Sequence, residues 1–182
     1  MIVTVSGVDD QPAGAQLLEL FDTAVGDVYG YLVKRCRNRV EAEDLTAEVF
    51  MAGAEAVRRT PPPDLTVAWL IGVARHKLVD HWRRLEREQR RLHAVAAEPG
   101  PDTDDPWDVA LDVLVARDVL GRLGADHRSV LTLRYVDGLG VADVAAAIDR
   151  TLHATEALLT RAKRAFRELY DDACDPGRKE GR

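Results

Sequence analysis

The sequence predicts an all-α protein made of two small helical domains joined by an acidic, flexible linker. Apolar residues recur at spacings of three and four in two long blocks, which is the periodicity of helices that bury one face. No stretch shows convincing period-2 alternation, so no strand is predicted. The segment 94–106 (AVAAEPGPDTDDP) has no apolar period and is rich in proline and acid, which is typical of a linker. A chain of 182 residues can accommodate two such domains.

The first domain is predicted at 15–93 and contains three helices. A loose arm is predicted at 1–14, before this domain. The three helices are predicted at Leu17–Cys36, at Val40–Val57, and from a start between Asp64 and Thr66 to Arg91. Thr60 and the run Pro61–Pro63 end the second helix, because proline cannot continue a helix and restricts the residue before it. Asp64 or Thr66 can cap the third helix, whose second half is strongly basic.

The second domain is predicted at 107–172, followed by a frayed tail at 173–182. Its helices are predicted at Val109–Leu123, His127–Val136, Val141–Ile148 and His153–Tyr170. The pair Asp137-Gly138 ends the second of these. Asp149 lies in the break before the last helix, where a left-handed or turn residue is needed and aspartate is tolerated.

The charges are arranged in blocks of alternating sign. The net charge of −6 argues at first against binding to nucleic acid. The segment from Arg75 to His93, however, contains seven Arg and Lys residues and only three acidic residues. The segment from Arg150 to Arg167 contains five basic residues, and its one acidic residue is Glu156. A globally acidic protein can carry local basic faces that bind phosphates. The alternative is a set of solvated helix faces.

The last two helices have the pattern of a helix-turn-helix. Small side chains at Ala145, Ala146 and Ala147 allow close approach, and a tight break leads into a longer basic helix. The start of such a helix enters the major groove, and basic residues further along contact phosphates. A plain amphipathic helix with a solvated basic face is the alternative.

Two further helices carry functional signals. Trp69 and Trp82 are interleaved with arginines, a pattern that can stack on unpaired bases, although both can equally be core residues. The acidic face of Glu41–Glu48 suits docking to a partner helix, or simply faces solvent.

The sequence argues against several other classes. The histidines show no HExxH or other metal-ligand spacing, no GxSxG or phosphate-binding glycine loop occurs, and no cofactor or metal is expected. Cys36 and Cys174 form no CxxC pair. No secretory signal or membrane span is expected, so the cytoplasm is the predicted compartment. A binding protein is therefore favoured over an enzyme.

Four motifs in order resemble the extracytoplasmic-function (ECF) sigma factors of bacterial RNA polymerase. They are EAEDLTAEVF (Glu41–Phe50), AWLIGVARHKLVDHWRR (Ala68–Arg84), LGADHRSVLTLRYVDGLGVADVAAAI (Leu123–Ile148) and HATEALLTRAKRAFRE (His153–Glu168). The resemblance spans roughly residues 17–170. It implies a non-enzymatic initiation factor that binds core polymerase and reads promoter DNA, with 15–93 as sigma region 2 and 107–172 as region 4.

The resemblance also implies roles for individual residues. The residues implied to meet the β′ clamp helices are Glu41, Glu43, Asp44, Leu45, Glu48 and Phe50. Those implied to recognise and melt the −10 element are Arg58, Arg59, Asp64, Arg75, His76, Lys77, Arg83 and Arg84. Those implied to read the −35 element are Thr151, His153, Ala154, Thr155, Glu156, Arg161, Lys163 and Arg164.

Further partners follow from the same resemblance. Region 4 would touch the β-flap tip, and the linker would thread toward the active-site cleft and RNA exit path of polymerase. An anti-sigma factor is a further possible partner of such proteins. One non-template base would be flipped into a pocket beside the loop from Arg58 to Val67, and the pocket must return the cost of unstacking.

The sequence departs from the family pattern at several positions. His76 stands where asparagine is frequent, Ala47 where glutamine is common, Leu158 where arginine is common, and Glu156 where lysine is usual. Glu156 can accept a hydrogen bond from a cytosine amino group, or simply face solvent. These differences leave the base preference open.

The alternative function is a free-standing helix-turn-helix regulator whose first domain binds a ligand or dimerises. Such a regulator would bind its duplex site alone, whereas a sigma factor usually needs core polymerase. A helical enzyme would need a polar pocket that the sequence does not show.

Overall fold

A computed structural model describes residues 13–93 and 108–174, with side chains described for 19–91 and 113–174. The helices are α1 (Ala13–Val33), α2 (Arg39–Ala56), α3 (Val67–His93), α4 (Asp108–Arg122), α5 (Ala125–Leu131), α6 (Val141–Ala147) and α7 (Leu152–Cys174). A π-helical turn at Thr132–Val136 extends α5. These two stretches contain no strand, and the prediction of an all-α fold is confirmed. The predicted linker and the first twelve residues lie outside the described residues, as does the chain after Cys174.

Side-chain caps fix the starts of α2 and α3. Asn38 accepts a hydrogen bond from the backbone N–H of Glu41 at 2.9 Å, while the Glu41 carboxylate accepts one from the Arg37 N–H at 3.1 Å. This reciprocal capping satisfies donors that the first turn of α2 would otherwise leave unpaired. At α3 the cap is Thr66, whose hydroxyl accepts from the Trp69 N–H at 3.1 Å. The structure thus selects Thr66 rather than Asp64.

The chain divides into two compact units, and the division falls within α3, between Leu78 and Val79. In the first unit α1 packs on α2, and the Phe21 and Phe50 rings meet edge to face at 4.6 Å between centroids. The fully buried side chains of this unit come from all three helices and include Val28, Leu32, Val49, Leu70 and Ala74. The basic face of α3 is therefore built on a helix whose other side is core.

The second unit contains α4 to α7 together with the second half of α3. Val79 of α3 is buried in the same apolar cluster as Val130 of α5, Val144 of α6 and Leu158 of α7. α7 packs on α4, α5 and α6. Because α7 is contacted on one side only along its first half, its opposite side faces solvent.

The π-helical turn changes how α5 ends. The Asp137 N–H donates to the Thr132 carbonyl at 3.0 Å, and Gly138 follows with a φ of 72°. Arg134 donates to the Leu139 carbonyl at 2.6 Å and closes the turn. The predicted stop at Asp137-Gly138 is confirmed, and the widened turn leaves Tyr135 and Val136 exposed.

Candidate nucleic-acid interface

The turn between α6 and α7 has helix-turn-helix geometry. Asp149 adopts a φ of 54°, the left-handed conformation that aspartate tolerates better than most residues. The Arg150 N–H donates to the Ala145 carbonyl at 2.9 Å, which closes the end of α6. Ala145 and Ala147 are buried, so α6 and α7 approach closely, as the sequence predicted, whereas Ala146 is exposed and does not contribute to this approach.

Thr151 immediately precedes the recognition helix α7 and caps it. Its hydroxyl accepts from the Ala154 N–H at 3.3 Å, and its carbonyl accepts from the Thr155 hydroxyl at 3.0 Å. Thr155 is fully buried. Its assignment to the −35 contact is therefore corrected: Thr155 holds the first turn of the helix together, and Ala154 is half-buried beside it.

The exposed side of α7 is termed the recognition face. Its members share one side of the helix and are His153, Glu156, Ala157, Thr160, Arg161 and Arg164. Leu158, Leu159 and Ala162 are buried on the opposite side. Ala157 and Thr160 were missed by the sequence reasoning, although their helical spacing from His153 and Glu156 could have found them. Arg164 lies 3.7 Å from Glu168, an exposed pair that leaves its guanidinium in solvent.

Lys163 lies on the edge of α7 rather than on the recognition face. Its ammonium is 5.4 Å from the centroid of the Tyr135 ring. Together they border an apolar groove of about 410 Å³ lined by Leu120, Leu131, Tyr135, Val136, Lys163, Phe166 and Arg167. The groove has two cations and no acid among its lining residues.

Four residues assigned to the −10 element are exposed in the first unit: Arg58, Arg59, Asp64 and His76. Three of them surround the loop after α2, which includes a cis bond between Thr60 and Pro61. His76 lies on α3 itself, about two and a half turns after the first residue of the helix. The structure therefore presents the loop and the start of α3 to solvent together.

The other basic residues of α3 that were assigned to the −10 element contact protein. Arg75 lies 6.0 Å over the Tyr31 ring, and Lys77 pairs with Glu48 at 3.2 Å. Arg84 is exposed, with its guanidinium 3.2 Å from His81 Nδ1.

Arg83 is held within the second unit. Its Nε donates to Asp126 of α5 at 3.2 Å, and its Nη2 donates to the carbonyl of Ile148 at the end of α6 at 3.0 Å. Trp82 beside it is 5% exposed, with the Arg128 guanidinium 4.3 Å over its ring.

The residues assigned to polymerase binding fall into three groups on α2. Leu45 and Phe50 are buried in the core, so their assignment as contact residues is corrected. Glu41 caps the helix and Glu48 pairs with Lys77. Glu43 and Asp44 are exposed.

A stripe along the exposed side of α2 is termed the α2 outer face. It consists of Val40, Glu43, Asp44, Ala47 and Met51. Val40 and Met51 are 65% and 58% exposed, which is high for apolar side chains, and the sequence reasoning missed both. A combination of acids with exposed apolar groups is suited to binding another protein.

The described residues contain no group of three or more His, Cys, Asp or Glu side chains that could hold a metal ion. None of their helices is long and apolar enough to cross a membrane.

Comparisons with known proteins agree with this architecture. The family model described as Sigma-70 region 2 matches residues 20–88, and the model described as Sigma-70, region 4 matches residues 114–166. The ECF RNA polymerase sigma factor BldN of Streptomyces coelicolor is 32% identical over 162 residues, covering 84% of this chain and 60% of BldN. The ECF RNA polymerase sigma factor SigL of Mycobacterium tuberculosis is 28% identical over 162 residues, covering 84% of this chain and 88% of SigL.

A solved structure shows the same fold. The sigma factor RpoE, crystallised in complex with the anti-sigma factor NepR from Bartonella quintana, has a TM-score of 0.55 and 19% identity. The match covers 86% of this chain and 97% of that one. Fold and site together define a two-part helical transcription protein with a helix-turn-helix in its second part. The chain belongs to the sigma-70 family, and within that family to the ECF RNA polymerase sigma factors.

Proposed function

We propose that this chain binds core RNA polymerase and directs initiation at specific promoters, as a non-enzymatic subunit that reads the −35 and −10 elements. The recognition face of α7 carries the proposal, because it presents polar and cationic groups outward from a helix-turn-helix. The matches to region 2 and region 4, in that order, support a sigma factor over a free-standing regulator.

The −35 element is assigned to the recognition face. Thr151 immediately precedes α7, and His153 and Glu156 lie in its first turns, which is the part of such a helix that reaches base edges. Glu156 would accept from a cytosine amino group. Arg161 and Arg164 lie one to two turns further and would contact phosphates, which set the register of the helix on the duplex.

The −10 element is assigned to the loop after α2 and the first half of α3. Arg58 and Arg59 would neutralise the backbone of the melted strand, while Asp64 and His76 lie beside the space for a flipped base. The exposure of all four supports this assignment.

Polymerase is assigned two contacts. The α2 outer face would meet the β′ clamp helices, with Asp44 and Met51 near its centre. The apolar groove on the second unit would take the β-flap tip, and its cationic border favours an apolar segment with acidic neighbours. An anti-sigma factor stays a prediction of the family resemblance.

The test is run-off transcription with core polymerase and this chain on a genomic promoter library. Initiation at defined start sites that requires the chain is the expected result. Asp44→Arg should abolish initiation and polymerase pull-down, because it reverses a charge at the centre of the α2 outer face. Asp44 is a sharper choice than Glu48, since reversing Glu48 would also place two cations together at Lys77.

Asp27→Arg provides the matched control. Asp27 is an exposed acid on α1 in the same unit, so the same change of net charge occurs away from the α2 outer face. Equal binding of both variants to polymerase would refute the docking assignment. Specific binding of the chain alone to duplex promoters, without any initiation, would favour the regulator instead.

A further inference from the structure

We propose that the segment 34–39, which joins α1 to α2, binds phosphates of the promoter duplex upstream of the −10 element, whatever the base sequence there. This inference rests on the proposed function and gives the first unit a second DNA contact. The segment, termed the basic loop, contains Lys34, Arg35, Arg37 and Arg39. No other Lys or Arg occurs between Met1 and Val57, where the sequence has ten acidic residues. The positive charge of this part of the chain is therefore concentrated at one turn.

Two of these cations lie where helix stability disfavours them. Arg37 and Arg39 flank Asn38, the cap of α2, at the end of the helix that carries partial positive charge. The cap does not require the Arg37 side chain, because the group that donates to Glu41 is the backbone N–H of Arg37. An anionic ligand accounts for cations at this position better than the stability of α2 does.

Two tyrosines of α1 position the arginines and leave their charge intact. The Arg35 guanidinium lies 3.9 Å from the Tyr31 ring centroid, and that of Arg75 on α3 lies 6.0 Å from the same centroid. Arg39 donates from Nε to the Tyr29 hydroxyl at 3.4 Å. A guanidinium stacked on a ring keeps N–H groups along its edge, and these match the oxygens of a phosphate. The arginines are thus oriented before a ligand binds.

The exposed cations of the basic loop differ in their surroundings. Lys34, Arg37 and Arg39 are exposed. The hydrogen bond to Tyr29, and to a smaller extent the charge of nearby Glu43, raise the pKa of Arg39. Because Glu43 offsets part of the Arg39 charge, Lys34 and Arg37 are the cations to remove in a test.

The position of the basic loop along α2 determines which phosphates it would contact. α2 has 18 residues and is about 27 Å long, with the basic loop at its start and the loop assigned to the −10 element after its end. Duplex that follows α2 over this length spans about 8 base pairs at 3.4 Å each. The recognition helix needs paired DNA at −35, so the paired DNA beside the first unit is the stretch between the two elements. The contact is therefore expected about 8 base pairs upstream of the melted bases.

Charge favours DNA over polymerase as the partner of the basic loop. The neighbouring α2 outer face carries Glu43 and Asp44 and is already assigned to polymerase. A single polymerase surface would have to complement opposite charges within the first turns of α2, since Arg39 and Val40 are adjacent. A phosphate backbone complements the basic loop alone, so the two surfaces suit two different partners.

The first test measures the salt dependence of promoter binding by the full chain in complex with core polymerase. Lys34→Ala with Arg37→Ala should lower the slope of log affinity against log salt by about 1.8, since each lost phosphate contact removes about 0.9. On a template whose duplex ends at the upstream edge of the −10 element, the variant and the unaltered chain should have the same slope. An equal reduction on both templates would refute the assignment to the upstream duplex.

Arg117→Ala with Arg122→Ala is the matched control. Both arginines are exposed on α4, so this variant loses the same two charges outside the first unit, and its slope should not change. Equal reductions for the two double variants would show that only net charge matters, against the proposal. If the basic-loop variant instead loses polymerase binding in a pull-down and keeps its slope, the partner is polymerase and the proposal is overturned.

The second test uses the unaltered chain and does not depend on the stability of a variant. Uncharged methylphosphonate linkages replace pairs of adjacent phosphates in turn along the duplex between the two elements. Neutralising a pair about 8 base pairs upstream of the melted bases should lower the slope by about 1.8, and the basic-loop variant should lower it no further on that template. Fully additive reductions would overturn the proposal and leave the proposed function intact. An unaltered chain that supports no initiation with polymerase would instead refute the proposed function.

Discussion

The basic residues of α3 and of α7 have similar density in the sequence but different surroundings in the structure. On α3, Arg75 lies over the Tyr31 ring and Lys77 pairs with the Glu48 carboxylate. Arg83, further along α3, donates to the Asp126 carboxylate and to the Ile148 carbonyl. On α7, Arg161 and Arg164 are exposed on the recognition face. The difference teaches that a basic block predicts the capacity to bind phosphate, while packing decides which of its members are available in the free chain.

The availability of the α7 cations predicts the largest effect. Arg161→Ala with Arg164→Ala should weaken holoenzyme binding to promoters of all sequences and lower the slope of log affinity against log salt by about 1.8, since each lost phosphate contact removes about 0.9. The loss of affinity between about 50 and 200 mM salt should then shrink roughly tenfold. Salt titrations by fluorescence anisotropy measure this. Arg122→Ala, which removes a cation in a similar i,i+4 pair on α4, should leave the slope unchanged.

The engagement of Arg83 predicts an effect on stability rather than on the salt slope of the free chain. Arg83→Ala leaves the Asp126 carboxylate and the Ile148 carbonyl without this donor and should cost about 1–2 kcal/mol in the free energy of unfolding. Denaturant unfolding of the second unit, followed by circular dichroism and tryptophan fluorescence, measures the loss. Arg91→Ala on the exposed end of α3 should change stability by less than about 0.5 kcal/mol. Equal values for the two variants would mean that Arg83 is as loosely held as a surface residue.

The pair between Lys77 and Glu48 should contribute less, because both side chains are about one-third exposed. A double-mutant cycle with Lys77→Met and Glu48→Gln should give a coupling of about 0.2–1 kcal/mol in the stability of the first unit. High salt should reduce this coupling, since a partly exposed pair is screened. A coupling of zero between Lys77 and Glu48 would mean that the pair does not hold Lys77, whose ammonium would then be as free to contact DNA as the cations of α7.

Lys163 should have the smallest effect on DNA binding, although its charge equals that of its neighbours. Lys163→Ala should leave the promoter salt slope nearly unchanged, because its ammonium lies beside the Tyr135 ring at the edge of the groove. Arg161→Ala alone should lower the slope by about 0.9. If Lys163→Ala lowers it by as much, Lys163 belongs on the recognition face after all.

The helices were predictable because their signals are local. Apolar spacing located each of them, and the Pro61–Pro63 run and Asp137-Gly138 marked the ends of α2 and of the extended α5. The left-handed Asp149 and the small residues of α6 were likewise legible in the sequence. The π-helical turn was not, since its hydrogen-bond shift leaves no distinct residue pattern.

The candidate site was only partly predictable, because exposure along a helix depends on what packs against it. Leu45, Phe50 and Thr155 lie in motifs that resemble functional ones, yet all three are buried. Val40 and Met51 have the composition of core residues and are exposed. The motifs located the correct helix in each case, but they did not show which of its residues are exposed.

The sequence by itself determined the helical periodicity, the helix-turn-helix break, the alternating charge blocks and the ECF sigma family. These depend on residues within a few turns of one another, or on motifs read in order. The tertiary structure decided which cations are available and where α3 is seated. Arg83 meets Asp126 and Ile148, which follow it by 43 and 65 residues. Contacts over such separations arise only when the units fold, because they depend on the packing of whole helices and not on local spacing.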